Sequence, residues 1–270
     1  ASNVGVGSNA LAAITTGARN VAVGTNALND LLTNSVDASN GNTAIGYNAA
    51  AKIVTGASNV AIGTAALDNA AGAISNCTVV GTRAGAAIDN TSANGTTLIG
   101  YYAGNDITSG AANTAVGYQS LAVDTIGLGN TAIGYQALLT NVDGSTNTAI
   151  GWRALATFEA DAQDHGENTA VGSKAAQDLT TGTGNTLIGK DSGDTGTNDL
   201  TTGDNNTLTG ASTATSSASA TNQTVIGQGT TGVADNTVTL GNASVTDVYM
   251  GSSSQAKVNA GQLVISDTAV

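Results

Sequence analysis

The chain of 270 residues has no proline, one cysteine, one histidine and only 3% aromatic residues, and each shortage excludes something. With Cys77 as the only cysteine, neither an intrachain disulfide nor a thiolate metal cluster can form within one chain. A single histidine removes most acid–base arrangements. Few aromatic and charged residues, set against 36 glycines and many small aliphatic residues, favour thin stacked layers over one large core.

Positive charge is also scarce. Seven basic residues against nineteen acidic ones leave a net charge of −12, which predicts repulsion from nucleic acids and from anionic membrane surfaces. Apolar runs are only a few residues long, so no segment is expected to insert into a membrane. Residues 1–10 show neither a charged region nor an apolar stretch of the kind that signal peptides need, so none is expected.

The sequence is dominated by a repeat. Residues 113–121 read NTAVGYQSL, residues 130–138 read NTAIGYQAL and residues 147–155 read NTAIGWRAL. A spacing of seventeen is the commonest, and polar insertions at 31–41 and 159–167 lengthen some copies, which is typical of a solenoid. The glycine of this phrase recurs at Gly7, Gly24, Gly46, Gly63, Gly81, Gly100, Gly117, Gly134, Gly151, Gly172, Gly189, Gly210, Gly227 and Gly241.

Each copy predicts one coil of an all-β solenoid. The segment T-A-I/V-G indicates a strand of about four residues that ends in a glycine turn, and a following segment such as QALL is expected on the other side of the coil. About fourteen coils at a rise of roughly 4.8 Å predict a rod of about 65–70 Å. Asparagines in one column, and Cys77 in the same slot, predict a buried hydrogen-bonded ladder: Asn42, Asn59, Asn113, Asn130, Asn147, Asn168, Asn185 and Asn206.

Both faces of the predicted strands are apolar. The residue before the glycine is β-branched in most copies, and the residue before that is alanine or a larger aliphatic. Since successive residues in a strand point to opposite faces, one face can pack inside its own coil and the other requires a partner chain. We therefore predict an oligomer. The β-branched positions are Val23, Ile45, Ile62, Val80, Ile99, Val116, Ile133, Ile150, Val171, Ile188 and Ile226.

The phrase N-T-A-I-G-Y-x-A-L resembles the head repeat of trimeric autotransporter adhesins, and it is similar to repeat arrays of bacteriophage tail-fibre proteins. The resemblance implies a left-handed parallel β-solenoid, or β-roll, in which two further copies of the chain complete a homotrimer. It covers nearly the whole chain, from residue 3 to about 241. The repeat of seventeen residues departs from the repeat of about fourteen in adhesin heads, which implies a longer loop on each coil.

Two regions follow from this comparison: a solenoid array over 1–241 and a β-rich terminating segment over 242–270. Because 236–266 resembles segments that end such arrays in phage appendages, and because neither the stalk nor the anchor of adhesins is found, we favour an extracellular virion appendage. The expected role is structural and in host attachment, with other fibre or virion proteins joined end to end. Alternatives are the head of a bacterial cell-surface adhesin or secreted filament and, less favoured, a glycan depolymerase.

The clearest candidate binding residues follow the reference glycine. Tyr101, Tyr118, Tyr135 and Trp152 lie seventeen residues apart, which predicts a ladder of rings about 5 Å apart. Such a ladder can contact sugars of a host-surface glycan; alternatively, the rings stack on each other and cover the edge of the coil. Tyr47 occupies the same position in an earlier copy.

No catalytic residue, cofactor or metal site is predicted. The insertion FEADAQDHGE gathers Glu159, Asp161, Asp164, His165 and Glu167, and oxygen-rich loops can hold calcium. Its spacing matches no EF-hand loop, and the repeat lacks the GGxGxD pattern of calcium-binding rolls, so we interpret it as a solvated loop. The chain lacks a nucleophile elbow, an HExxH motif and a phosphate-binding loop, and we expect it not to be an enzyme.

Overall fold

The computed structural model describes residues 2–15, 17–31, 41–70, 72–89, 93–160 and 165–248. Fourteen strands of three residues each form one parallel sheet in which the strands follow the order of the chain. They are β1 Val4–Val6, β2 Val21–Val23, β3 Thr43–Ile45, β4 Val60–Ile62, β5 Thr78–Val80, β6 Thr97–Ile99, β7 Thr114–Val116, β8 Thr131–Ile133, β9 Thr148–Ile150, β10 Thr169–Val171, β11 Thr186–Ile188, β12 Thr207–Thr209, β13 Thr224–Ile226 and β14 Val238–Leu240.

The strands pair in register, each copy of the repeat against the next. In β8 and β9, for example, Thr131 pairs with Thr148 and Ile133 pairs with Ile150. The prediction of an all-β parallel solenoid is confirmed, and the described residues contain no α-helix. The strands have three residues where about four were expected. Thirteen steps of roughly 4.8 Å separate the first strand from the last, which gives a sheet about 62 Å wide along the solenoid axis.

The core lies inside the coil and is thin. The middle residue of each strand from β2 to β13 points inward, and the examples Ala132 and Leu187 are fully buried. Opposite this column lie two further inward positions, occupied by Ala137 and Leu138 in one coil. Because the inward-pointing middle residue of most strands is alanine, the two walls of a coil approach closely, and seventeen residues suffice to enclose the interior.

The segment after the glycine forms the opposite side of the coil, as expected, but not as a strand. Gln136 and Leu138 both have left-handed backbone conformations, with φ of 52° and 51°. The chain is therefore a succession of tight turns here, and it joins its neighbour through hydrogen bonds such as Leu138 N–H to the Ala154 carbonyl at 3.0 Å. Left-handed non-glycine residues are costly individually, so the stacking of successive coils must hold them in place.

The reference glycines form a column in which backbones approach without side chains. Gly134 has a φ of 139°, which is unfavourable for other residues, and a Cβ there would lie 2.7 Å from the carbonyl carbon of Gly151. Most of the other reference glycines face the next glycine in the same way. The requirement for glycine therefore comes from both backbone conformation and lack of space.

The asparagine ladder is confirmed, with a geometry that sequence alone did not specify. The Oδ1 of Asn168 accepts both the backbone N–H of Asn185 at 3.0 Å and its Nδ2–H at 3.2 Å. The same Nδ2 donates across the coil to the Gly203 carbonyl at 2.7 Å. Most asparagines of the ladder donate to a carbonyl in this way, so they tie their own coil to the next one and also close a turn. Cys77, fully buried, continues the column by donating its N–H to the Asn59 Oδ1 at 3.0 Å.

After β14 the regular array ends. Residues 242–248 contain no strand, and residues 249–270 of the predicted terminating segment lie outside the described residues. The first insertion, 31–41, also lies outside them except at its two ends.

Candidate binding surface

The residue that follows the reference glycine points out of the coil, and this places the four predicted rings in one row. Ring centroids lie 5.2 Å apart between Tyr101 and Tyr118, 5.2 Å between Tyr118 and Tyr135, and 6.5 Å between Tyr135 and Trp152. The planes of successive rings differ by only 14°, 8° and 17°. Sequence spacing predicted this arrangement, and we call these four residues the aromatic ladder.

The rings of the aromatic ladder cover one another's faces. Tyr118 and Tyr135 each have a stacked neighbour on both sides. At the ends, Tyr102 packs against Tyr101 with centroids 4.4 Å apart, and the Arg153 guanidinium carbon lies 5.6 Å from the centre of Trp152. All four ladder residues are nevertheless 43–45% exposed, so the rings present their edges, and the three tyrosines also their hydroxyl groups, to solvent. The rings therefore stack on one another, and contact with a glycan stays a prediction.

A second column runs beside the aromatic ladder and was missed in the sequence. In each coil the residue two positions after the glycine donates its backbone N–H to the preceding coil, as Gln136 does to the Tyr118 carbonyl at 2.9 Å. The Gln136 Nε2 also donates to the Gln119 Oε1 at 2.9 Å. We call the residues at this position in five successive coils, Arg83, Tyr102, Gln119, Gln136 and Arg153, the flanking column. Writing the repeats one beneath another reveals it, because its members always stand next to the ring position.

Tyr47 does not belong to the aromatic ladder. It is 54% exposed and lies in the coil of β3, and the two following coils carry Thr64 and Thr82 at the same position. The ladder is thus confined to four successive coils near the middle of the rod.

The acidic insertion is only partly described. Glu159, His165 and Glu167 are exposed, whereas Asp161 and Asp164 lie outside the described residues. His165, Gly166, Glu167 and Thr183 line a small cleft beside this insertion. Among the described residues of this insertion, no group of carboxylates lies close enough together to hold a metal ion.

Three other carboxylates do meet, and the sequence analysis missed them. Carboxylate oxygens of Asp178, Asp194 and Asp199 lie within 4.8 Å of one another, although Asp178 belongs to the coil before the other two. Burial, followed by the charge of Asp178, raises the pKa of Asp194, while the Lys174 Nζ at 3.9 Å acts in the opposite direction. Asp199 accepts the backbone N–H groups of Thr195 and Gly196 at 2.6 and 2.7 Å. These contacts fix the loop that joins β11 to β12.

A buried carboxylate interrupts the apolar interior. Asp124 is fully buried at a position that Ile107 and Phe158 occupy in other coils, and it accepts hydrogen bonds from the Gly127 N–H at 2.8 Å and the Asn130 Nδ2–H at 3.1 Å. The Asn141 Nδ2 lies 3.3 Å away in the next coil. Burial raises the pKa of Asp124 to about 7, against the lowering effect of these donors. Asp124 does not adjoin the aromatic ladder, because it lies inside the coil.

Comparison with known proteins adds no relative: the chain matches no protein-family model, and no curated protein matches it. The fold and the repeat define it as a β-solenoid repeat protein. Across the part of the chain that the structure describes, no helix has the length and apolar character needed to cross a membrane.

Proposed function

We propose that this chain is the structural unit of a rigid attachment fibre, a left-handed β-solenoid that assembles as a homotrimer and forms part of a bacteriophage tail fibre or similar virion appendage. The observation that carries the proposal is an uncovered apolar stripe on the outer face of the sheet. Along that face the third residue of each strand from β2 to β11 is valine or isoleucine. The stripe runs for most of the length of the solenoid.

Exposure of the stripe favours burial against another chain. Ile45, Ile99, Ile133, Ile188 and Ile226 are 37–43% exposed in the single chain, and the valines between them are half-buried. Contiguous apolar patches of this kind mark interaction surfaces, and a parallel strand that is apolar on both faces is normally covered on both. Two further copies of the chain present the same stripe, so a closed threefold assembly buries all three stripes together.

The attachment role rests on resemblance and on the aromatic ladder. The repeat resembles those of trimeric adhesin heads and phage fibres, and the segment 236–266 resembles the ends of phage arrays. The ladder exposes aromatic edges and hydroxyl groups on the side of the rod, where a host-surface glycan can reach them. Binding without catalysis is part of the proposal, and so is an extracellular location with other fibre proteins end to end.

Two measurements test the proposal. Sedimentation equilibrium of the purified chain is expected to give three times the 26.1 kDa chain mass, and a stable folded monomer contradicts the trimer. Immunogold electron microscopy of the source culture, with an antibody to this chain, is expected to label virion appendages. Labelling of the bacterial surface contradicts the viral assignment and favours the adhesin head.

A further inference from the structure

The cations beside the aromatic ladder are placed unusually for so acidic a protein. Arg83 and Arg153 stand in the flanking column at its two ends, four coils apart, or about 19 Å at the usual strand spacing. Within the described residues, neither guanidinium has a carboxylate within 4.0 Å. Both guanidinium groups instead lie against aromatic rings, 5.3 Å from the centre of Tyr102 for Arg83 and 5.6 Å from that of Trp152 for Arg153.

Carboxylates avoid this side of the rod over the same coils. The acidic residues between 81 and 155 are Asp89, Asp106, Asp124 and Asp143, and each stands at least six residues after the glycine of its coil. None therefore occupies either column, although Asp68, in the coil before Arg83, is close enough to interact electrostatically with it. The net charge of −12 resides elsewhere, while the two columns carry an arginine at each end and neutral polar groups between them. Lys174, at the flanking position of the next coil, lies 5.8 Å from the centre of Trp152, and Asp194 at 3.9 Å balances its charge.

The groups between the two arginines are uncharged: positive ring edges, and hydroxyl and amide groups that both donate and accept hydrogen bonds. Aromatic rings are negative on their faces and positive at their edges, and the stacking leaves the edges outward. Tyrosine hydroxyls and glutamine amides add donors along the same line. An arginine whose planar guanidinium is unpaired suits a carboxylate. The surface thus matches a long ligand that is mostly hydroxylated and carries negative charges at wide intervals.

From this complementarity we infer that the aromatic ladder and the flanking column bind a linear acidic polysaccharide, which lies along the rod with a uronate carboxylate at Arg83 and another at Arg153. About one acidic sugar in four fits the interval, because an extended sugar chain advances by roughly one coil, about 5 Å, per sugar. Nucleic acid fits poorly, since a strand places a phosphate about every 3.4 Å against two cations on an acidic rod. This inference names the ligand class for the attachment role proposed above and rests on it.

The test uses the assembled full chain and a defined probe. Gellan oligosaccharides carry one glucuronate in each repeat of about four sugars, which matches the interval between the arginines. Carboxyl-reduced gellan provides a neutral chain of the same linkage. Calorimetric titration is expected to show binding of the acidic oligosaccharide that weakens with added salt, and no measurable binding of the reduced one.

Matched variants localise the site. The double variant Arg83→Gln/Arg153→Gln is expected to lose affinity about tenfold or more, because both charge-assisted contacts disappear. Arg19→Gln removes an exposed arginine outside both columns and should leave the affinity unchanged. Tyr118→Ala/Tyr135→Ala should also weaken binding, and circular dichroism and sedimentation of each variant establish that the assembly is intact.

Several results overturn the inference. Equal binding of reduced gellan, or full affinity in the double arginine variant, rules out recognition of the carboxylates by this surface. Tighter binding of polyglutamate or single-stranded DNA assigns the surface to another class of polymer. If trimeric rods are found on virion appendages but bind none of these probes, the ligand assignment fails while the proposed fibre function stands. If the chain is monomeric, or is not located on virion appendages, the proposed function itself fails.

Discussion

At the scale of single residues, Asp124 is expected to make the stability of the fold depend on pH. Its pKa rises from 3.8 to about 7 because burial penalises the charged form, so between these values the folded chain holds a proton that the unfolded chain has released. The free energy of unfolding is therefore expected to fall as pH rises through this window, by on the order of 4 kcal/mol from this group, and to level off above it.

Asp124→Asn is expected to remove that share of the pH dependence. Chemical denaturation at several pH values between 4 and 8 measures how the free energy of unfolding changes with pH. The variant should gain most stability relative to wild type at pH 8, where wild-type Asp124 is charged. The exposed Asp106→Asn serves as control and should keep the wild-type slope. An unchanged slope in Asp124→Asn would show that the carboxylate does not carry this proton.

Two glycines separate the effects of backbone strain and of space. Gly134→Ala adds a methyl group 2.7 Å from the Gly151 carbonyl carbon at a φ of 139°, and we expect a loss on the order of 4 kcal/mol in the free energy of unfolding. Gly129→Ala has a φ of 65°, and the nearest atom is 3.9 Å away, so only conformational strain of about 1 kcal/mol applies. Thermal denaturation of both variants checks this order, and equal losses would contradict the steric part of the argument.

At the scale of the repeating element, the asparagine ladder carries the third prediction. Asn185→Ala deprives the buried Asn206 N–H of its acceptor at 2.9 Å and the Gly203 carbonyl of its donor. Leaving such groups unpaired is expected to cost about 3 kcal/mol. The control Asn69→Ala removes an amide whose Oδ1 accepts an exposed hydrogen bond from the Lys52 Nζ at 3.0 Å, and should cost under about 0.5 kcal/mol. Comparable losses in urea denaturation would mean that the ladder is not a main tie between coils.

The element is also where the sequence was most informative. Coil number, parallel register, the inward and outward faces of the strand and the spacing of the aromatic ladder all follow from a period of seventeen and from alternation along a strand. The turn that carries Gln136 and Leu138 could not be predicted, because left-handed alanine, leucine or glutamine has no signature in a single sequence. The flanking column was missed because its members differ chemically, and only their position in the coil relates Arg83 to Gln119.

At the scale of the whole molecule, the outward stripe is expected to decide assembly. Ile133→Asp places a charge in the middle of the proposed threefold interface, whereas the coil interior beside it, including Ala132, is untouched. We expect dissociation into monomers, or a weakening of the trimer by several orders of magnitude, as seen by sedimentation velocity. Val123→Asp, at an exposed apolar residue off the stripe, should leave the mass unchanged. Retention of the wild-type mass by Ile133→Asp would exclude this face as the contact.

The in-register stacking of strands has a mechanical consequence. Each strand is paired only with the copies directly before and after it in the chain, so the order of attachment along the rod is the order of the sequence. A chain pulled from one end can therefore unfold one coil at a time, starting at that end. Every lost turn of seventeen residues releases about 55–60 Å of extended chain. A solenoid built this way can absorb a sudden load by lengthening at its end while the remaining turns keep their structure.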